Sequence, residues 1–512
     1  MVYSFTEMDV PANNHENRQS RQSLRQPENI APGETVPGSS GMKENLVTFQ
    51  TGDGLELQGT PVRVTRHVVT FELYNPAAVP RLSEVLDALN IVLQGRRIYF
   101  GRAVVRNVVS EGLNLICEAG LDEVNWLDMD FELLSRRDGH FAQAFKSFLG
   151  EWQKFYQVLP TYKIIVADMQ TFFTELRLWL EQVELGVRSA PSGSRMQLEQ
   201  EVTAELAEVI IPSINELFEK FESVAEGIEP DQRAAHASYF RQHLHPLVLG
   251  APFAHRAFYK PLGFAGDYEM VNMIARNGLE GGSLFAKVVN CWFLRQPPAV
   301  AHRHRLDYLT ECMQSETLRV SHRGGKARIF NFACGPAVEM QRFLGDARFR
   351  EQVELTVADF NRETLDYVKQ AFNAVKAQAG RQVSVQIQKK GVHQLLRESL
   401  KPVVAGGAAR TEYDLVYCAG LFDYLPTPTC KLLMDIFYDR LAPGGLLVAT
   451  NVDPVNPLRN GMAYLLDWHL VYRTAQELLR LKPGRAADDA VSVRSDATGV
   501  DLFLEVRKPD HG

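Results

Sequence analysis

The sequence predicts a multidomain chain in which a small antiparallel β-barrel, a helical middle region and a C-terminal α/β domain of the Rossmann-like class follow one another. Three observations support this prediction. Apolar residues alternate with period two from Asn45 to about Trp126, as they do in half-buried strands. They then recur at helical spacing to about residue 315. Beyond that point, apolar strands that end in small or acidic residues alternate with helical stretches, which is typical of a parallel sheet.

Length and composition limit the class of protein. The chain has 512 residues, enough for about two to four domains, and a formal net charge of −7. It contains no basic run, so we expect no nucleic-acid partner. Its six cysteines lack metal-ligand spacing, which fits a reducing compartment and predicts no metal site. The N-terminus has no apolar signal segment and no apolar run reaches about 20 residues, so we expect a cytoplasmic protein without a membrane span.

Residues 1–44 are rich in asparagine, glutamine, serine, proline and arginine and contain few large apolar side chains. A segment of this composition cannot bury enough apolar surface to offset the entropy that ordering removes. We therefore expect a disordered tail over 1–44, followed by the barrel over 45–126.

The barrel region contains four alternating runs separated by turn residues, and it resembles a PilZ-like domain. PilZ domains that bind cyclic di-GMP carry RxxxR followed by [D/N]xSxxG. Arg102 and Arg106 have the first spacing, but they lie within a late strand and the second motif does not follow. The departure argues against cyclic di-GMP binding. The predicted strands are Val47–Thr51, Val62–Leu73, Tyr99–Val109 and Leu113–Glu118.

Residues 127–315 are predicted to form a helical region that includes a segment over the substrate site. Apolar residues recur at i, i+3 and i+4 in three stretches, and Leu185–Arg195 is predicted to be a loop. A plain helical scaffold is the simplest interpretation. The alternative is that these helices form an interaction surface, for example in a homodimer. The three stretches are Phe141–Trp152, Met169–Val183 and Gln200–Glu226.

Two segments of this region carry candidate binding residues. Pro252–Met270 combines aromatic residues, a histidine, a lysine and an aspartate in what we predict is a loop. It is either a binding loop or an ordered connection between helices, held by tyrosine and aspartate hydrogen bonds. Pro297–Tyr308 is predicted to lie on a helix just before the α/β domain, with Arg303 and Arg305 as candidate anion ligands.

The C-terminal domain, residues 316–512, shows four features in sequence order. Arg328–Glu339 is a strand that ends in a small turn at Gly335, and Val353–Asn361 is a strand that ends in Asp359. Tyr413–Leu425 is an acid-containing strand followed by a loop, and Leu441–Thr450 is a helix end at Pro-Gly-Gly followed by a buried strand. Together they resemble the class I S-adenosylmethionine (SAM) methyltransferases. A dinucleotide-binding domain is disfavoured because its fingerprint needs three glycines and this loop has one.

This resemblance implies SAM as the cofactor. A carboxylate at the carboxyl end of the second strand, here Asp359, would accept both ribose hydroxyls, and Gly335 would let the backbone approach SAM. Arg303 or Arg305 would meet the methionine carboxylate. The closing strand Asp501–Arg507 is expected to be the antiparallel edge of the sheet. The predicted cofactor-binding residues are Asn331, Ala333, Cys334, Gly335, Asp359, Phe360, Ala419 and Gly420.

Three segments carry a narrower resemblance: Tyr259–Met270, Asn331–Ala337 and Leu466–Arg473. In combination they resemble the bacterial methyltransferases that make 3-hydroxy fatty acid methyl esters as quorum-sensing signals, such as the 3-hydroxypalmitic acid methyl ester synthases. The resemblance implies methylation of a fatty acid carboxyl group. Tyr268, Lys260 and His469 would then orient the carboxylate as catalytic residues, and the predicted substrate-contacting residues are Asp267, Asp423, Tyr424 and Tyr472.

A fatty carboxylate is ionised at neutral pH, so its attack on a sulfonium methyl group needs alignment and desolvation rather than a base. An amine or phenol acceptor would need a general base, and His469 or His255 would be the first candidates for that base. Two other functions stay open: a methyltransferase for a protein or small polar acceptor, and a non-catalytic regulatory protein that senses a nucleotide through the barrel.

Overall fold

The computed structural model describes residues 45–52, 54–74, 79–93, 96–111, 114–122, 125–126, 146, 150, 157–379, 384–399 and 412–510. The predicted disordered tail, 1–44, lies outside these residues. So does the predicted helical stretch Phe141–Trp152, apart from Lys146 and Gly150.

Six antiparallel strands close into a barrel in the order β1-β2-β3-β6-β5-β4, which confirms the predicted antiparallel barrel. The predicted single strand Val62–Leu73 is a hairpin, because the Thr65 amide and the Val68 carbonyl close a turn at 2.8 Å. The strand β4 was not predicted. Its sequence does not alternate, and its pairing shifts register around Ala88, whose φ is +50°. The strands are β1 Leu46–Gln50, β2 Glu56–Val64, β3 Val68–Tyr74, β4 Val85–Leu93, β5 Arg96–Glu111 and β6 Asn114–Leu121.

Between 157 and 321, which the structure describes without a gap, seven α-helices follow the barrel and confirm the helical middle region. Two loop predictions were wrong. Only 189–191 separate the first two helices, so most of Leu185–Arg195 is helical. Pro252–Met270 is largely two short helices, and only 260–267 is irregular. The helices are α1 Pro160–Arg188, α2 Ser192–Glu226, α3 Arg233–Val248, α4 Pro252–Tyr259, α5 Tyr268–Arg276, α6 Leu284–Arg295 and α7 Pro297–Ser321.

A seven-stranded mixed sheet in the order β12-β13-β11-β10-β7-β8-β9 forms the C-terminal part, which confirms the Rossmann-like methyltransferase fold. The strands β7 to β11 are parallel, and the chain order reverses between β7 and β10, where open sheets of this kind bind ligands. The strands are β7 Ala327–Phe332, β8 Val353–Asp359, β9 Ser384–Lys389, β10 Tyr413–Cys418, β11 Leu441–Val452, β12 Val491–Ser495 and β13 Asp501–Arg507. The helices are α8 Val338–Gly345, α9 Arg362–Ala379, α10 Val392–Ser399, α11 Thr427–Asp439, α12 Arg459–Leu466 and α13 Ala475–Leu479.

Two details of this sheet differ from the prediction. The strand β13 is antiparallel as expected, but it is not the edge, because β12 pairs along its outer side. The helix α11 ends at Asp439, and β11 already begins at Leu441, before Pro-Gly-Gly. Gly444, with φ +74°, lies in an irregular start of that strand, where the pairing with β10 changes register.

The helical core extends into the C-terminal part of the chain. Tyr464, Leu465 and Leu466 of α12 are buried in the same apolar cluster as Trp292 of α6 and Phe240 of α3. Two further clusters cover the two faces of the sheet. The helices therefore pack against the segment that follows β11, at the edge of the sheet where the parallel strands end.

Candidate functional site

The loop after β7 holds three residues in the left-handed region: Ala333 at φ +58°, Gly335 at +51° and Ala337 at +51°. This conformation costs about 1–2 kcal/mol for a residue with a side chain, and such strain clusters at functional sites. The Gly335 amide donates to Asp359 Oδ2 at 3.2 Å. No atom lies within 4 Å of where a Cβ of Gly335 would be, so the loop borders open space.

Asp359 ends β8 and is 5% exposed. Its Oδ1 accepts a hydrogen bond from the Asn361 amide at 2.9 Å, and burial raises the pKa of its carboxyl to about 6. The next residue, Phe360, has the Arg81 guanidinium carbon 4.1 Å from its ring centre and the Phe264 ring at 5.2 Å. An acid and an aromatic ring therefore stand beside the loop.

The loop after β10 forms the opposite side of the site. Gly420 has φ +77°, and its amide donates to Thr450 Oγ1 at 2.9 Å. A Cβ there would lie 3.3 Å from Arg305 Nη2, so a larger residue would meet both backbone strain and the guanidinium. Asn331 Nδ2 donates to Glu339 Oε1 at 3.0 Å, which fixes the end of β7.

One cavity lies between these loops and the helices, with about 1420 Å³ of atom-free space, part of it open to solvent. Its polar end is formed at the carboxyl ends of the parallel strands, and its other walls are aromatic and aliphatic. The polar end includes His302, Arg305, Asn331, Ala333, Cys334, Gly335, Glu339, Ala419, Gly420, Asp423, Tyr424 and Asp501. The apolar walls include Phe218, Phe253, Met270, Val271, Ile274, Trp292, Phe293, Leu458, Met462, Leu465, Leu466, Trp468 and Leu470.

Arg305 of α7 is the centre of the polar end. Its Nη1 contacts Asp501 Oδ2 at 3.2 Å, and its Nη2 donates to His302 Nδ1 at 2.8 Å. Burial raises the pKa of Asp501 to about 7, and its Oδ1 has no hydrogen-bond partner among the described residues. Desolvation, and then the charge of Arg305, lowers the pKa of His302 well below its ordinary value, so this imidazole is neutral at pH 7.

Asp423 and Tyr424 follow β10 and line the cavity. Asp423 Oδ1 accepts from the Val452 amide at 2.7 Å, and burial raises the pKa of Asp423 to about 6. The Tyr424 hydroxyl accepts from Trp468 Nε1 at 3.0 Å, which leaves its own proton to donate to a ligand. Gly266 lies against that hydroxyl, since a Cβ there would be 2.8 Å from it.

The three residues predicted as catalytic do not line this cavity. Lys260 Nζ is buried and donates to the Leu466 carbonyl at 3.2 Å, and burial lowers its pKa to about 7. His469 Nε2 lies 3.0 Å from Asp467 Oδ1, and burial lowers the pKa of the imidazole. The Tyr268 hydroxyl donates to Glu363 at 3.0 Å on the surface. These contacts are structural, so the geometry does not support catalytic roles for them.

Asp467 belongs to a buried ionic cluster that joins the barrel to the helices. Its Oδ1 contacts Arg241 Nη2 at 2.8 Å and Arg106 Nε of β5 at 3.3 Å, and these two charges hold the pKa of Asp467 well below its ordinary value despite burial. Arg102 Nη2 donates to the Tyr259 carbonyl at 2.5 Å. Both arginines of the RxxxR spacing therefore bond to the helical and C-terminal parts of the chain.

Six other candidates also lie outside the cavity lining. Two of them, Asp359 and Phe360, stand beside the Gly335 loop, and the Gly335 amide bonds to Asp359. Asp267 caps α5, accepting from the Glu269 and Met270 amides at 3.0 Å and from Arg256, which supports the connection rather than the ligand interpretation. The Tyr472 hydroxyl accepts a hydrogen bond from Asn456 at 3.4 Å. Arg303 donates to the Leu294 carbonyl at 2.8 Å. His255 is exposed beside Tyr259.

Sequence reasoning missed His302, Glu339 and Asp501. His302 lies in Pro297–Tyr308, the segment in which only the arginines were predicted to bind a ligand. Glu339 is the last residue of the predicted strand and turn Arg328–Glu339. Asp501 starts β13, whose antiparallel direction brings its first residue to the edge where the parallel strands end. The chain topology that joins these residues at one cavity is not visible in local spacing.

Across the part of the chain that the structure describes, no cluster of three or more histidine, cysteine or acidic side chains is arranged to hold a metal ion. In the same residues, no helix is both long and apolar enough to cross a bilayer.

No protein-family model matches the sequence, and no curated protein matches it. The fold is similar to solved structures at low identity. A possible exported protein from Bordetella parapertussis is 17% identical over 63% of this chain and 99% of its own, with a TM-score of 0.38. Magnesium protoporphyrin IX methyltransferase from Synechocystis PCC 6803, solved with bound SAH, is 11% identical over 41% of this chain and 84% of its own, with a TM-score of 0.29. An O-methyltransferase family protein from Burkholderia thailandensis is 14% identical over 56% of this chain and 75% of its own, with a TM-score of 0.30.

Proposed function

We propose that the protein is a SAM-dependent methyltransferase that acts on the carboxyl group of a long apolar acceptor, and that the acceptor is a 3-hydroxy fatty acid. One observation carries the proposal. A single cavity joins the strained loop after β7 to aromatic and aliphatic walls from α4 to α6 and the segment after β11. Such a cavity suits a polar cofactor at one end and an acyl chain at the other.

The polar end fits SAM. The Gly335 loop leaves space for a ligand, and Asp359 uses its two oxygens for backbone amides while keeping lone pairs for ribose hydroxyls. Arg305 offers a guanidinium for the methionine carboxylate, and the unpartnered Asp501 Oδ1 offers an acceptor for the methionine ammonium group. When bound, SAM supplies a methyl group on a sulfonium that an oxygen nucleophile can attack.

The residues around the acceptor support carboxyl methylation. A carboxylate needs no general base. Among the described residues that line the cavity, His302 has the only imidazole, and its Nδ1 accepts from Arg305. The Tyr424 hydroxyl can donate to an acceptor oxygen and so hold it in line for attack. The apolar walls exclude water, which would otherwise solvate the nucleophile.

The test is methyl transfer from labelled SAM by the full-length protein to 3-hydroxy fatty acids of different chain length, with products identified by mass. Matched controls are the same fatty acids without the 3-hydroxyl group and the corresponding preformed methyl esters. A methyl ester product supports the proposal. If SAM binds and no fatty acid is methylated, the acceptor assignment is wrong. If SAM does not bind, the methyltransferase assignment itself is wrong.

A further inference from the structure

The segment Arg81–Val85 connects the barrel to the site. It leads into β4, whose first residue is Val85, and its Ser83 and Glu84 are buried, with Ser83 at φ +59°. The Leu82 amide donates to the Tyr424 carbonyl at 3.2 Å, and the Val85 amide donates to the Gly263 carbonyl at 2.6 Å. This part of the barrel therefore bonds to the loop after β10 and to the irregular segment 260–267.

Arg81 reaches the end of β8. Its guanidinium carbon lies 4.1 Å from the ring centre of Phe360, within the range of a cation–π contact. Glu84, itself 2% exposed, fixes the position of Arg81: its Oε2 accepts from the Arg81 amide at 2.7 Å and lies 3.6 Å from Nε. Glu84 Oε1 accepts from the Gly52 amide at 2.8 Å, which ties this arrangement to the turn after β1.

Adenine is one glycosidic bond from the ribose that Asp359 is proposed to hold. The Phe360 ring lies beside Asp359 and can stack on a flat base, and the Arg81 guanidinium packs on that ring.

We propose that the barrel segment Arg81–Val85 completes the adenosine-binding part of the cofactor site, and that Arg81 is a positioning residue that holds Phe360 beside Asp359. This inference rests on the proposed binding of SAM. It makes the N-terminal barrel a structural part of the site rather than an independent module.

The test measures the Kd of SAM and of S-adenosylhomocysteine for the full-length protein and for R81A, R81K, F360L and R81A/F360L. R81A is expected to raise Kd about three- to thirtyfold, the range of a cation–π contact, when Kd is measured well below the melting temperature of the variant, which the loss of the Glu84 ion pair lowers. Because Arg81 acts through Phe360, adding R81A to F360L is expected to change Kd by less than about twofold. R81K, which keeps the charge and the ion pair to Glu84, is expected to restore part of the affinity.

The matched control is Arg63→Ala, which removes another barrel arginine whose contact, Asp231 at 3.2 Å, is remote from β8. Its Kd should equal that of the wild type. Wild-type protein that does not bind SAM overturns the proposed function and this inference together. Wild-type binding together with unchanged or tighter binding by folded R81A overturns this inference alone. Should R81A fail to fold, R81K decides by the same criterion.

Discussion

At the scale of single residues, the sequence identifies the cofactor side of the site better than the acceptor side. Gly335 and Asp359 each lie at the end of an apolar strand, so strand, turn and acid are adjacent in the chain and can be read locally. Lys260 and His469 have suitable chemistry, but residue type does not distinguish a ligand-facing group from one in a buried ionic cluster. His302 and Asp501 meet only because two distant elements converge.

Asp359→Asn is the first prediction at this scale. It should weaken SAM binding by about tenfold or more, since an amide replaces one acceptor oxygen by a donor. The wild-type affinity should fall as pH drops through about 6, where the carboxylate becomes protonated. The variant should show a smaller pH dependence, because only Asp423 and Asp501 of the polar end then titrate in this range. The groups that interact with Asp359 are the charged Arg81 and the thiol of Cys334, which burial keeps protonated. Calorimetric titration between pH 5 and pH 8 measures both effects, and a wild-type affinity that is independent of pH would contradict the prediction.

At the scale of elements, α5 and the loop after β10 shape the acceptor side. The helix α5 contributes Met270, Val271 and Ile274 to the apolar wall. Its position depends on the Asp267 cap. From the sequence, Asp267 was predicted to contact the substrate, with an ordered connection held by aspartate hydrogen bonds as the alternative. The alternating or fully apolar strands and the long helices were predictable from the apolar pattern, whereas β4 does not alternate. The helices α4 and α5 are each shorter than three turns and gave too little periodicity to separate them from a loop.

Val271→Phe tests the wall of α5. The larger side chain should fill part of the cavity and shift the preferred acceptor to a shorter chain, with the Kd of SAM unchanged. Met273→Phe on the same helix is the control, because Met273 packs in the helical core and does not line the cavity. Product distributions over a series of chain lengths measure the shift. An identical chain-length profile in both variants would show that α5 does not bound the acceptor.

Arg473→Met tests the loop after β10. Arg473 is 2% exposed and donates to the Phe422 carbonyl, the Leu425 carbonyl and Asn451 Oδ1 at 2.6–2.8 Å. Its loss leaves these buried acceptors unsatisfied and should lower the free energy of unfolding by about 3 kcal/mol. It should also lower kcat, because the loop that carries Asp423 and Tyr424 loses its support. Denaturant unfolding and steady-state kinetics measure the two effects. Arg348→Ala, at an exposed ion pair, should change neither.

At the scale of the whole molecule, the barrel, helices and sheet are joined by buried contacts. Arg106 of the barrel and Arg241 of α3 share the Asp467 carboxylate, which follows α12. Composition and periodicity predict the three folds separately, but they contain no information on a shared ion cluster, whose partners are separated by more than 200 residues.

This coupling predicts that the described residues from the barrel to β13 unfold in one cooperative transition. Removing Arg106 by Arg106→Met should lower the melting temperature of that transition by several degrees, because Asp467 stays buried with less compensation. Differential scanning calorimetry and tryptophan fluorescence should report the same midpoint. Two separated transitions in the wild type would mean that the barrel folds independently.

The RxxxR spacing at Arg102 and Arg106 illustrates how a ligand-recognition signature can arise from architecture. Both side chains bind groups of their own chain, the Tyr259 carbonyl and the Asp467 carboxylate. A search for nucleotide-binding barrels by this spacing would select the protein, although both arginines already bond to groups of their own chain. The Asp467 carboxylate offers a filter for such searches at the level of sequence, whereas the Tyr259 carbonyl is a backbone group that residue type does not reveal.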